Sequence, residues 1–124
     1  MSKKKSLSHE QKLINALKTL PYELDDNKHR IKVRFEDDQA RSNESRFEHI
    51  SLSRHELTIH DIKRIKTNIS NSELKIDTER TKTYSIYIKR NHFNNEYIKL
   101  SVDLDFKRSN IAKVKTIFIT KNNK

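Results

Sequence analysis

The run Ile98-Lys-Leu-Ser-Val-Asp-Leu-Asp-Phe106 decides the fold. Ile98, Leu100, Val102, Leu104 and Phe106 fall on one side of an extended chain, with Lys99, Ser101, Asp103 and Asp105 on the other. Successive side chains of a strand point to opposite faces, so this alternation marks a strand with one face in a core. Upstream, Tyr84, Ile86 and Ile88 alternate with Ser85, Tyr87 and Lys89 in the same way. Downstream, residues 111–120 are apolar on both faces, as a central strand is. Links as short as residues 90–95 and 107–110 favour an antiparallel meander.

Working outward, residues 29–35 alternate, with Ile31, Val33 and Phe35 opposite Arg30, Lys32 and Arg34, and predict a half-buried strand. A weaker strand is expected at 73–77, and a polar, acidic loop at 36–45. One helix is expected over 8–20. Ser8 and Gln11 fit a capping box there, Leu13, Ile14, Leu17 and Leu20 form an apolar face, and Pro21 ends the helix. A second is expected over 59–69, begun by Thr58 and Asp61. Ile59, Ile62 and Ile65 recur there at a spacing of three, and Lys63, Arg64 and Lys66 face water or a ligand. Residues 44–52 read as a short helix or an irregular segment, with Phe47, Ile50 and Leu52 inward. The expectation is a single α+β domain over 8–124, with N-terminal helices packed on an antiparallel sheet of about four strands, behind a flexible basic arm at 1–7.

The net charge of +10 and a pI near 9.8 call for a polyanionic partner, with nucleic acid first, an acidic protein second and an anionic membrane third. No apolar run approaches the ~20 residues of a membrane span, and no signal-peptide core follows Lys3-Lys4-Lys5, so no membrane role and a cytoplasmic location are expected. The chain has no cysteine, which removes disulfides, thiolate metal sites and cysteine nucleophiles. It has no glycine, which removes Gly-rich phosphate loops. Turns must use Asn and Asp, as at Asn94-Asn95 and Ser109-Asn110.

Chemistry concentrates at Glu44-Ser-Arg-Phe-Glu-His-Ile50 and just beyond. His49, His55 and His60 are three of six histidines, beside Arg46 and Arg54. A helical zinc motif needs histidines four apart with a Glu between them. His55 and His60 are five apart, so no metal and no cofactor are expected. Metal-free RNA cleavage needs a base, an acid and cationic stabilisation of the extra phosphate charge as the 2′-hydroxyl attacks phosphorus. The sequence offers His49 or His55 for proton transfer and Arg46 or Arg54 to clamp phosphate. Lys99, Lys113 or Lys115 could add charge, and the Thr116 hydroxyl could reach a non-bridging oxygen. Each has a plainer reading. His49 sits between Phe47 and Ile50 as a core or edge histidine would, and His55 as a loop histidine. His60 and His92 read as surface residues, Thr116 as a β-former, and Lys113 and Lys115 as a solvated stripe.

Arg46-Phe-Glu-His-Ile50, His55-x-Leu57, and Asp61-Ile62 with Ile65 opening a helix resemble the start of a phage-associated nuclease of the barnase/EndoU/colicin/RelE-like (BECR) superfamily. Glu96-Tyr-Ile-Lys-Leu-Ser-Val102 and Ala112-x-Val-Lys-Thr-Ile-Phe118 resemble its closing strands, so the resemblance spans residues 29–121. It implies a helical part on a sheet of about four antiparallel strands, and a metal-independent ribonuclease, often a toxin, acting on tRNA or mRNA. By resemblance His49 is the leading acid or base, and Thr116 takes the phosphate-contacting Ser/Thr position of the final strand. Lys115, Lys99 and Arg46 carry over as further site residues. Many relatives are C-terminal toxin domains of long secreted proteins, whereas this chain starts at its own Met. A free-standing effector, a phage or mobile-element protein, or an excised domain is expected. A cytosolic ribonuclease also implies an acidic immunity or antitoxin protein. The alternative is a basic binding protein without catalysis, coating nucleic acid or blocking a host defence complex. Six Lys/Arg and no Asp/Glu over residues 107–124 support it, as do Tyr84, Tyr87, Phe93 and Tyr97 as stacking residues.

Overall fold

The computed structural model describes residues 8–53, 56–76, 83–90, 95–104 and 110–121. The arm at 1–7, Arg54, His55, His92, Phe93, Phe106 and the turn residues Asn94 and Ser109 lie outside the described residues.

The chain is α+β. Helix α1 (His9–Lys18) leads to β1 (Glu23–Asp26), β2 (Ile31–Arg34) and a small hairpin of β3 (Gln39–Arg41) and β4 (Glu44–Ser45). Helices α2 (Arg46–Ser53) and α3 (Ile59–Asn68) follow, then a 3-10 turn and β5 (Glu73–Ile76), β6 (Thr83–Lys89), β7 (Tyr97–Leu104) and β8 (Ile111–Thr120). The main sheet has six strands in the order β1-β2-β8-β7-β6-β5. The meander of β5 to β8 is antiparallel as expected, but β2 pairs with β8 in parallel, through Lys32–Ile111 to Arg34–Lys113. The sheet is therefore mixed and larger than about four strands. The extra edge strand, β1, is Glu-Leu-Asp-Asp, a sequence of low strand propensity. It forms because Glu23 lies opposite Arg34 in the ladder, where Arg34 Nη2 is 2.6 Å from Glu23 Oε2.

Local signals explain the helix boundaries. Ser8 caps α1 by accepting from the Gln11 amide at 3.1 Å, while the Gln11 side chain turns forward to Asn15 instead of closing the box. Thr58 and Asp61 form a complete capping box on α3. The loop expected at 36–45 instead holds the hairpin, and its Ser45-x-x-Glu48 is a second capping box. There the Glu48 amide reaches Ser45 Oγ, and Glu48 Oε1 accepts from the Ser45 amide. Arg30, expected on a strand, sits in the β1–β2 turn with φ 59°, the left-handed region that glycine would otherwise fill.

One apolar cluster joins the helices to one face of the sheet. Leu13, Leu17, Phe47, Ile50, Ile62 and Ile65 meet Ile86, Ile88, Ile98, Leu100, Val102, Val114 and Ile117. Leu52, expected inward, is half exposed, because α2 turns only Phe47 and Ile50 to the core. Ile59 is also exposed. Among the described residues no helix is long and apolar enough to cross a membrane.

Asp61 ties the layers together. Its carboxylate caps α3 and takes two hydrogen bonds from Arg90 at the end of β6, at 2.9 and 3.0 Å, while Arg90 also reaches Glu96 and the Glu56 carbonyl. Losing Asp61 removes the cap and two charged hydrogen bonds from Arg90, each contributing about 1.5–3 kcal/mol, although Arg90 keeps Glu96 and the Glu56 carbonyl, whereas loss of a cap alone costs about 1 kcal/mol. Asp61→Ala should therefore lower the urea-unfolding free energy by several times the loss seen for Thr58→Ala. Equal losses would mean that Asp61 acts only as a cap.

Candidate functional site on the second face of the sheet

The register of β5 to β8 aligns two rows on the face opposite the core. Glu73, Tyr87, Lys99 and Phe118 are successive partners across the four strands, and Lys75, Ser85, Ser101 and Thr116 form the next row. None of these side chains belongs to the apolar cluster. Lys99 carries its ammonium over two rings, 5.5 Å from the centroid of Tyr87 and 5.2 Å from that of Phe118. Lys75 lies over the other side of the grouping, 5.6 Å from Tyr87, and Tyr97 meets Tyr87 edge-on. Tyr87 is thus buried beneath lysine stems, although its strand position alone predicts an outward residue. Among the described residues Lys99 has no carboxylate partner, so the rings hold its charge in place without neutralising it.

A bulge marks β8 beside these rows. Ser101 is opposite Thr116 and Val102 is opposite Val114, leaving Lys115 as the extra residue. An extra residue breaks strict alternation and re-aims its neighbours. Lys115 consequently reaches across to Asp103 on the second face, with 3.6 Å between Nζ and Oδ2. Thr116 follows it, and its Oγ1 is the only buried side-chain polar atom without a hydrogen-bond partner among the described residues. Such an atom costs about 1–3 kcal/mol unless something from outside completes it.

Helix α2 starts where β2 has ended and the edge of β8 is uncovered. Its first residue, Arg46, donates from Nη1 to the Lys115 carbonyl at 3.2 Å. The same guanidinium meets Asp38, with Nε 3.0 Å from Oδ1, and Lys113 Nζ is 2.6 Å from Asp38 Oδ2. Arg46 is buried and fully engaged by this carboxylate and carbonyl. His49 stands one turn further along the same side of α2. Its Nδ1 lies 3.0 Å from Glu44 Oε1. A carboxylate accepts only, so the proton between them belongs on Nδ1, which leaves Nε2 to take or give a proton.

The expected residues therefore separate. Lys99, Lys115 and Thr116 share the second face, with Lys99 over Tyr87 and Phe118 and Lys115 turned to Asp103, and Arg46 on the helix of His49 is bonded to the Lys115 carbonyl. Arg46 and Lys113 are drawn together around Asp38, whose single carboxylate offsets one of their two charges. His55 and Arg54 lie outside the described residues. Sequence reasoning missed Glu44 and Phe118, and named Tyr87 only as a stacking residue. Glu44, five residues before His49 and in β4, becomes its partner only once β4 and α2 are placed. Tyr87 and Phe118 were legible as the outward positions paired with Lys99, given the register. No group of three or more His, Asp or Glu among the described residues is placed to hold a metal ion.

Compared with known proteins, the chain matches no family model, no curated protein and no solved structure.

Burial raises the pKa of Asp38, but hydrogen bonds from Arg46 and Lys113, and their charges, outweigh it and hold the carboxyl at about 2. The folded value lies below the ordinary unfolded one of ~3.9. The ionised group thus contributes stability that is present above pH ~4 and lost as pH falls towards 2, on the order of 1–2 kcal/mol after screening. Comparison of wild type with Asp38→Asn in urea should show a stability gap at pH ~5 that narrows by pH ~2. A gap independent of pH would remove Asp38 as the cause.

Proposed function

We propose that this chain binds RNA on the second face of its sheet and cleaves it without a metal, by attack of a 2′-hydroxyl on the adjacent phosphorus, which breaks the bond to the 5′-oxygen and leaves a 2′,3′-cyclic phosphate and a 5′-hydroxyl. The observation that carries this reading is the unpartnered Thr116 hydroxyl, set beside a β8 bulge between Lys99 and Lys115. A donor held in a half-buried, cationic surface is suited to a non-bridging phosphate oxygen. His49, oriented by Glu44 on the helix that Arg46 pins to the same bulge, supplies the acid or base. Lys99 and Lys115 stabilise the developing charge, and Arg46 acts by positioning α2 instead of clamping phosphate.

The resemblance to BECR nucleases supports the same chemistry. On that reading the protein is a toxin or mobile-element effector that acts in the cytoplasm on tRNA or mRNA and is neutralised by an acidic partner. A second reading, RNA binding without cleavage, is favoured by one observation: Asp38 already engages two of the expected site cations, Arg46 and Lys113.

Purified protein should cleave total RNA in EDTA. Thr116→Val should lower the rate by about 10²-fold, the scale of losing one stabilising donor, and His49→Ala by about 10²–10⁴-fold, the scale of losing an acid or base. Because Val removes an unmatched buried hydroxyl, Thr116→Val should leave stability unchanged or raised, which separates function from folding. Wild-type rates in both variants would remove these residues from the mechanism. RNA binding without cleavage by the wild type would establish the second reading.

A further inference from the structure

Helices α1 and α3 enclose a groove of ≈ 510 Å³ on the side of the molecule away from the second face. Its floor is apolar, made by Ala16, Leu20, Ile59 and Ile62. Lys12 on α1 stands on one wall, and Lys63 and Lys66 on α3 stand on the other. All three lysines are exposed, no carboxylate lines the groove, and none of the three has an acidic partner among the described residues. Ile59 opens onto the same groove with 39% of its surface exposed, although it lies on the apolar stripe of α3.

We infer that this groove docks an acidic amphipathic helix of a partner protein. Charge and shape together select that occupant. An apolar floor takes an apolar stripe of residues at i, i+3, i+4 and i+7. Cations on both long walls match carboxylates flanking such a stripe on both sides. A single anionic headgroup, as on a lipid, would instead call for cations at one mouth. Neutralising the lysines removes like-charge repulsion between the walls, and burying Ile59 and Ala16 adds apolar contact. The partner reads the helical side of the molecule, so its binding leaves Lys99, Thr116 and the rest of the second face accessible. The inference does not depend on whether the chain cleaves RNA.

The test uses the full chain and a synthetic helical peptide of about five turns, ~18 residues. The peptide carries a leucine stripe flanked by glutamates. One control has the same composition scrambled to abolish the stripe, and a second has lysine in place of glutamate. Binding is read by fluorescence anisotropy at about 150 mM salt, where distant charges are screened, and located by amide chemical shifts. The striped acidic peptide should bind at least tenfold more tightly than either control, with shifts at Ala16, Ile59 and Lys63. Lys63→Ala with Lys66→Ala, both exposed, should weaken it about tenfold at unchanged melting temperature. Ala16→Glu should abolish it. Equal binding of the scrambled peptide, shifts centred on Lys99 and Phe118, insensitivity to these substitutions, or no binding at millimolar peptide would each overturn the inference. RNA binding should persist with the peptide bound. Loss of RNA binding would place both ligands on one surface and overturn the separation argued above.

Discussion

The carboxylate of Asp38 is the constraint on which the rest of the site depends. It stands just past the end of β2 and gathers Arg46 from the start of α2 and Lys113 from β8. Without it, two cations would face each other in a partly buried place, where neither could keep its hydration. With it, Arg46 is free to lay its remaining donor on the Lys115 carbonyl, at the stretch of β8 that β2 no longer covers. A helix is thereby fixed against an open strand edge beside a bulge. The neighbouring Asp37 reinforces the same junction by accepting from the Phe47 amide at 2.8 Å.

This arrangement divides the basic residues into two kinds. Arg46, Lys113, Arg34 and Arg90 are held by carboxylates and serve architecture. Lys99 is held by aromatic rings, which fix its position but leave its charge in the field of the surface. The net charge of +10 therefore overstates the charge available to a ligand near the bulge, while the fixed geometry of Lys99 raises what that one residue can do. An unmatched hydroxyl in the next row is a local cost that valine at position 116 would avoid. Retention of such a cost is what a functional position looks like in an otherwise consistent fold.

Much of this was legible in the sequence where the physics is local. The alternation of residues 98–104 predicts β7, the two-faced apolar run predicts the inner position of β8, and Thr58 with Asp61 predicts the start of α3. What escaped depends on contacts distant in the chain. The parallel pairing of β2 with β8 joins residues nearly eighty positions apart, and β1 is held to β2 by its ladder and by the pairing of Arg34 with Glu23. Arg46 reads as a candidate phosphate clamp until Asp38, eight residues earlier, is seen to take it. The bulge at Lys115 leaves no mark in composition, yet it turns Lys115 and Thr116 toward the same face. Pairing likewise explains Tyr87, whose alternation points outward while Lys75 and Lys99 roof it over.

The two faces of the sheet also separate two kinds of recognition. On the second face, cations are immobilised over rings and set among hydroxyls, an arrangement that suits a ligand presenting oxygens at fixed spacing. On the helical side, lysines stand free at the rim of an apolar floor, which suits a ligand bringing both carboxylates and hydrocarbon. A single partner could satisfy both only by wrapping the molecule. A partner confined to the α1–α3 groove would instead act through α1 itself, because α1 packs against α2 as well as α3. Any change in the lie of α2 moves His49 relative to the bulge, since Arg46 fixes only the first turn of the helix. Coupling between the groove and the second face would therefore run through the placement of one helix, with no need for the partner to cover the second face.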